Sequence, residues 1–197
     1  MNAERIVFRT GKTTALVLLE ESDAPQLTRW INDPEITRFL TVFTPNTLEE
    51  EIEWIKKISS RQPNEFIWGI WQLAEKRLIG TMGLHRISYR DRVATTGAII
   101  GEKDCWGQGF GRDAKMQLLD FAFNTLNLRK ICSSVLAFNE RSFRYSLACG
   151  YQEEGRRKLQ LFSDGQYRDE IFLAVFREDW LPLWAEYQQS KIQEEVK

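Results

Sequence analysis

The chain has 197 residues, 43% of them hydrophobic, 12% aromatic and 28% charged, a mix that excludes a disordered or collagen-like chain and predicts one globular domain over 1–197. Lys and Arg number 27 against 28 Asp and Glu. No global positive field therefore exists to hold a nucleic-acid backbone or an anionic membrane, and any anionic ligand must be held locally.

Cys105, Cys132 and Cys149 stand far apart and form no Cys-x-x-Cys pair, which excludes a zinc knuckle and a disulfide framework. His85 is the only histidine, so multi-histidine metal sites are excluded and no metal is expected. The start, Met1-Asn2-Ala3-Glu4-Arg5, carries no apolar leader, and no stretch approaches the roughly 18 consecutive apolar residues of a membrane span. The expectation is an unprocessed, cytoplasmic protein with neither membrane nor nucleic acid among its partners.

In chain order, Ile6 to Leu19 reads as extended structure turning near Gly11, and Ser22 and Asp23 offer caps for a helix carrying Leu27, Trp30 and Ile31. Asp33-Pro34 starts a short helix. Thr47-Leu48-Glu49-Glu50 is a capping box, and Leu48, Ile52, Ile55 and Ile58 behind it fall at helical spacing. The period then changes. Phe66 to Trp71, Leu78 to Tyr89 and Val93 to Gly101 read as an antiparallel meander. Gly107, Gly109 and Gly111 open a helix striped with Met116, Leu118, Leu119, Phe121, Ala122 and Phe123. The strand Lys130 to Phe138 and a helix from about Asn139 to Cys149 follow.

A helix between strands 93–101 and 130–138 requires a parallel crossover. Leu159 to Phe162 and Ile171 to Phe176 form a hairpin across Asp164-Gly165. From about residue 179 to 197 a helical extension follows, striped by Trp180, Leu183, Trp184 and Tyr187, whose expected role is packing on the parent sheet. The class is α+β with a mixed central sheet.

The glycine segment is the most informative. A strand running into a glycine-rich turn that feeds a helix gathers unpaired N–H groups and the positive end of the helix dipole at one point, which suits a phosphate. It is not a P-loop, having no Lys-Ser/Thr pair, and it is not Gly-x-Gly-x-x-Gly, because Arg112 stands at the third glycine position.

Trp106-Gly107-Gln108-Gly109-Phe110-Gly111, Asn139-Glu140-Arg141-Ser142 and Cys149-Gly150-Tyr151-Gln152-Glu153-Glu154-Gly155 resemble the GNAT superfamily of N-acetyltransferases, nearest its RimJ/RimL-like branch. Trp30-Ile31-Asn32-Asp33-Pro34-Glu35-Ile36, Ile79-Gly80-Thr81-Met82-Gly83-Leu84, Gly165-Gln166-Tyr167-Arg168-Asp169 and Glu178-Asp179-Trp180 fit in the same order, so the likeness covers nearly the whole chain. It implies a mostly antiparallel sheet with one parallel, splayed strand pair and helices on both faces. It implies acetyl-CoA as acetyl donor, with its pyrophosphate on the amides of Trp106, Gly107, Gln108, Gly109, Phe110 and Gly111. Its pantetheine arm would lie along Ile99, Ile100 and Gly101, with Asn139 and Ser142 contributing.

The resemblance also implies acetyl transfer to a primary amine, of a protein N-terminus or a small molecule, by direct attack. Ser146 stands where many relatives have a tyrosine acid, Tyr145 being one place earlier; Thr95 stands where many have a glutamate base. Ser146 is thus the expected donor to the leaving sulfur, and His85 or Glu102 the expected base, imidazole being the side chain whose ordinary titration suits proton relay near neutrality. Trp30, Phe39, Phe43, Trp54, Trp68 and Trp71 gather where the family shapes its acceptor pocket, although core packing explains most of them. Arg156-Arg157-Lys158 reads as a solvated hairpin edge. Two rivals stay open at this level: an acetyltransferase for small amines or aminoglycosides, and a non-catalytic acetyl-CoA-binding module. So do monomer and homodimer.

Overall fold

A computed structural model of the chain describes residues 5–42, 44–60 and 63–195. Phe43, one of the gathered aromatics, lies outside the described residues, as do Met1 to Glu4.

Eight strands make one sheet in the order β1-β2-β3-β4-β5-β6-β8-β7. The strands are β1 (Val7–Thr10), β2 (Thr14–Val17), β3 (Phe66–Gln72), β4 (Arg77–Ser88), β5 (Val93–Ile100), β6 (Lys130–Leu136), β7 (Gln152–Ser163) and β8 (Gln166–Phe176). All neighbours are antiparallel except β5 and β6, which are parallel. The β7–β8 hairpin is longer than its apolar residues suggest, because Gln152 to Lys158 form an outer edge strand whose side chains are mostly exposed and so show no alternation.

Helices α1 (Ala24–Ile31), α2 (Pro34–Thr37) and α3 (Leu48–Ser59) cover one face of the sheet, and α4 (Phe110–Asp120) and α6 (Arg177–Glu195) pack on the other. The last helix, α5 (Glu140–Leu147), follows β6. Local chemistry sets several boundaries. Thr47 and Glu50 close the capping box at the start of α3, Glu50 N–H donating to Thr47 Oγ1 (3.2 Å) and Thr47 N–H to Glu50 Oε2 (2.7 Å). Asp33 caps α2 through Glu35 N–H (2.9 Å). Asp23 departs from its expected role: its carboxylate is taken by Arg5 and the Glu20 amide, and it makes no side-chain cap to α1.

Two cores flank the sheet because alternate strand residues face opposite ways. Ala15 and Val17 join Leu27, Trp30 and Ile55 under α1–α3, while Leu16, Met82 and Leu84 join Ala114, Leu118 and Phe123 of α4 and its continuation. Trp180 of α6 is fully buried against Phe123 (ring centroids 5.2 Å). Tyr187, also in α6, donates to the buried Asp113 carboxylate of α4 (2.5 Å). Burial works to raise Asp113, but donors from Tyr187 and the Lys12 to Thr14 turn hold it below the usual carboxylate range. No helix among the described residues is long and apolar enough to cross a membrane.

Candidate functional site

The cleft begins where the parallel pair parts. β5 and β6 pair only at Val93↔Lys130, Ala94↔Ile131 and Thr95↔Cys132; beyond these β5 stays with β4 to Ile100 and β6 with β8 to Leu136. A cavity of about 1180 Å³ fills the splay and continues under the glycine turn.

Buried polar chemistry fills the crotch. Thr96, the first β5 residue past the pairing, receives a hydrogen bond from Lys115 Nζ (2.8 Å) and lies 3.1 Å from the Tyr151 hydroxyl. Lys115 is 1% exposed and its Nζ stands 5.5 Å from the ring centres of both Tyr145 and Tyr151. Burial pulls the Lys115 ammonium down to about 8.

Thr96 O accepts from Ser133 Oγ (3.5 Å) and Ile100 O from Trp106 Nε1 (2.7 Å), whereas Gly101 N–H donates to Ile79 O (2.9 Å) on β4. Backbone groups alternate along a strand, so Thr96, Ala98 and Ile100 present theirs to the open edge. Ile99 and Gly101 present theirs to β4. This corrects the expectation for Ile99 and Gly101: an arm laid along the open edge meets the main chain of Ala98 and Ile100, and Ile99 contributes only its side chain to the cavity wall. Gly101 has a different reason to be glycine, since a Cβ there would stand 2.0 Å from the Trp30 indole.

The glycine turn is open. Gly107 and Gly109 have φ of +77° and +87°, and a Cβ on either would meet nothing within 4 Å, so backbone conformation requires glycine there and leaves the approach clear. From Gly107 through Arg112 the amides have no acceptor among the described residues, the first backbone bond being Asp113 N–H to Gly109 O (3.0 Å). Those donors, with the N-terminus of α4, fit a pyrophosphate without any counter-charge in the composition. Gly107, Gly109, Phe110 and Gly111 line the cavity; Gln108 is exposed, its amide turned back to Asp104 O. Trp106 lines it too, with the Arg141 guanidinium 3.9 Å over its ring. Arg112 and Arg144, which sequence reading passed over as ligand contacts, also line it.

On the far side, Asn139 caps α5 by accepting from Ser142 N–H (3.1 Å), and both residues line the cavity. Ser146 does not: it is 1% exposed and turned to the interior. Tyr145 faces the cavity instead, about 100° round the helix. No hydrogen-bond partner for its hydroxyl occurs among the described residues, and burial raises its pKa, keeping the phenol protonated.

The opposite wall is made by β4 and β5. Thr81↔Ile99, Gly83↔Gly97 and His85↔Thr95 are register partners on one sheet face. The two facing glycines leave a trough, and the His85 imidazole lies over it at one end. His85 Nδ1 lies 2.6 Å from Glu65 Oε1, while a Cβ on Gly83 or Gly97 would stand 2.9 or 3.3 Å from His85 Nε2. A carboxylate accepts, so Nδ1–H is the donor to Glu65, and Nε2 is the ring nitrogen turned over the trough. Glu65 was invisible to motif reading; it lies 20 positions from His85 and meets it only through the β3–β4 register.

Glu102 is not in the cavity. Its Oε1 accepts from Gln26 Nε2 (2.8 Å) and Trp30 Nε1 (3.1 Å), with Arg77 Nη1 3.6 Å from Oε2. It holds Trp30 in place and cannot reach the trough as a base. Burial raises the thiols of Cys105, Cys132 and Cys149, the last to about 12, so none is an activated nucleophile. Of the gathered aromatics, Phe39 and Trp54 line the cleft, while Trp68 stacks in the core with Phe8 (ring centroids 5.0 Å). Arg156 and Arg157 sit on the outer edge strand beside Asp169 (3.6 Å) and Glu170 (4.0 Å).

The family model of the acetyltransferase (GNAT) domain matches residues 14–152. An uncharacterized N-acetyltransferase of Bacillus subtilis, YoaA, is 28% identical over 164 residues, 81% of this chain and 92% of its own. The [ribosomal protein uS5]-alanine N-acetyltransferase of Escherichia coli is 27% identical over 62% of this chain and 63% of its own. A crystal structure of spermidine N-acetyltransferase from Vibrio cholerae in complex with CoA and spermine superposes with a TM-score of 0.78 at 27% identity, covering 86% of this chain and 98% of that one. The splayed parallel pair, the open amide turn and these likenesses agree: the chain belongs to the GNAT acetyltransferase family and is an N-acetyltransferase whose acetyl donor is acetyl-CoA.

Proposed function

We propose that the protein acetylates a primary amine, of a small molecule or a protein N-terminus, by direct attack within the splay. We place it in the RimJ/RimL-like branch, as a cytoplasmic enzyme working as monomer or homodimer. The observation that carries the reading is the meeting, in one cleft, of an open run of amides and an imidazole held by a carboxylate.

When bound, acetyl-CoA supplies an acetyl group activated as a thioester. The amides from Gly107 to Gly111 hold its pyrophosphate, with Trp106 walling the turn, and Ala98 and Ile100 offer main-chain groups to its arm. Asn139 and Ser142 border the same arm. An alkyl ammonium has a pKa near ~10 and must lose a proton before its nitrogen can attack. His85 Nε2 takes that proton and Glu65 steadies the imidazolium that results. Tyr145, still protonated, hydrogen-bonds and protonates the departing sulfur, the role expected of Ser146 from the sequence, and its phenolate takes up the second proton that the acetylated nitrogen sheds. The three thiols, all raised, take no part in the route, so no acyl-enzyme forms.

Thiol release from acetyl-CoA across a panel of monoamines, diamines, aminoglycosides and N-terminal peptides tests the reading. Turnover with at least one amine is expected. Acetyl-CoA binding with no release on any acceptor overturns transfer and leaves a binding module.

A further inference from the structure

A second cavity, of about 260 Å³, lies under α1 and α3 and has no part in holding the donor. Trp30 and Trp54 wall it, and Glu51 of α3 lines it although only 6% exposed. Glu51 Oε1 accepts from Asn46 Nδ2 (2.9 Å). Among the described residues no cationic side chain pairs with this carboxylate. A carboxylate so deep ordinarily has a cation beside it, because desolvation of an unpaired charge is costly. Here the free oxygen and two indoles share one cavity, and both attract cations.

The cavity communicates with the cleft. Thr81 and Ile99, partners across β4 and β5, line both, so the small cavity opens at the end of the trough opposite His85. From Thr81 to His85 the strand advances about 13 Å. The two ends have opposite chemistry. A buried carboxylate favours the ammonium form of any amine beside it, which is the form that cannot attack; the imidazole end favours its deprotonation.

We propose that the Glu51 cavity binds the second, non-reacting ammonium of a small α,ω-diamine acceptor, whose other amine lies along the trough toward His85. Glu51 is the counter-ion, Trp30 and Trp54 cover the alkyl stem and the cation, and Glu102 and Gly101 act through Trp30 as positioning residues. The volume of about 260 Å³ fits a short chain with a terminal cation. With a net charge of −1, selection of a dication has to come from such a local site and not from a long-range field. The proposal rests on the acetyltransferase reading only for the fate of the distal amine.

The test is a tryptophan-fluorescence titration of the full chain with diaminoalkanes of three to eight methylenes and with the matching n-alkylamines, paired with thiol-release kinetics on the same compounds. At least one diamine should bind ten-fold or more tightly than its monoamine and show a correspondingly lower KM. Glu51→Gln, which keeps shape and the Asn46 contact, should erase that preference, with circular dichroism and acetyl-CoA affinity as controls for folding. Trp54→Leu, at a half-buried position, should weaken diamine binding three- to ten-fold.

The proposal is overturned if the parent binds diamines no better than monoamines, if folded Glu51→Gln keeps the preference, or if lysine-bearing peptides fill the site and diamines do not. The two readings separate cleanly. Diamine binding without thiol release removes transfer and keeps the cavity assignment, whereas thiol release from monoamines without diamine preference does the reverse.

Discussion

The donor side of the cleft is made of main chain, and the acceptor side of side chains. On the donor side, Gly107 and Gly109 and the free amides leading into α4 present dipoles that no substitution of a neighbouring side chain removes. On the acceptor side, Glu65, His85, Glu51, Trp30 and Trp54 come from four separate stretches, and side-chain contacts such as Glu65 to His85, Asn46 to Glu51 and Glu102 to Trp30 hold them. A main-chain site is robust to sequence change but tied to one backbone shape, while a side-chain site can be retuned one residue at a time. The division suits an enzyme that uses a constant donor and must select an acceptor.

The sharpest way to break the donor side is therefore to attack its backbone shape. Gly109→Asp forces a residue with a Cβ into φ +87° and sets a carboxylate where phosphate should sit. Acetyl-CoA affinity should fall by more than about 100-fold in a calorimetric titration, with the fold intact because no neighbour lies within 4 Å of the new Cβ. Unchanged affinity would remove the turn from the site.

On the acceptor side the largest loss should follow His85→Gln, about 100-fold in kcat/KM, the lower end for general acid–base catalysis, with acetyl-CoA affinity retained. Glu65→Gln keeps the imidazole but weakens its anchor, so the loss should be smaller, about ten-fold, and accompanied by a shifted pH–rate profile. If Glu65→Gln moves only thermal stability, the pair is structural. Tyr145→Phe should lower kcat about ten-fold and leave KM for the acceptor in place; Ser146→Ala, at a position turned from the cavity, should do much less.

The same division explains what could be read in the sequence. The capping box at Thr47 and Glu50, the proline after Asp33, the Asp164-Gly165 turn and the glycine turn are local signals, and the amide run of the donor side is local too, spanning Gly107 to Arg112. The acceptor side depends on register and packing. Gly83 and Gly97 mean little until β4 and β5 set them side by side, and Glu51 reads as one more charge on the polar face of α3 until its 6% exposure is seen. Ser146 and Tyr145 differ by one residue, or about 100° of helix, and alignment by motif cannot resolve which of them faces the cavity. Lys115 did leave a trace: with Leu118, Leu119 and Ala122 it falls at the i, i+3, i+4, i+7 spacing of a buried stripe.

That lysine stands where the two sides meet, and Lys115→Met should have the smallest effect on turnover and a favourable one on stability. Its folded pKa of about 8 lies below the ordinary 10.5, so between those values the unfolded chain binds more protons and the stability of the parent rises with pH. Below pH 8 both states are protonated and the whole penalty of burying the ammonium is present, about 3 kcal/mol at roughly 1.4 kcal/mol per pKa unit. Removing the lysine also loses its hydrogen bond to Thr96, about 1 kcal/mol, while Tyr151 still serves the threonine hydroxyl. The variant should thus be about 2 kcal/mol more stable than the parent at pH 7 by chemical denaturation, and the gap should nearly close by pH 9.5. A variant less stable than the parent at both pH values would mean that the ammonium contributes more to holding Thr96 at the splay than its desolvation costs.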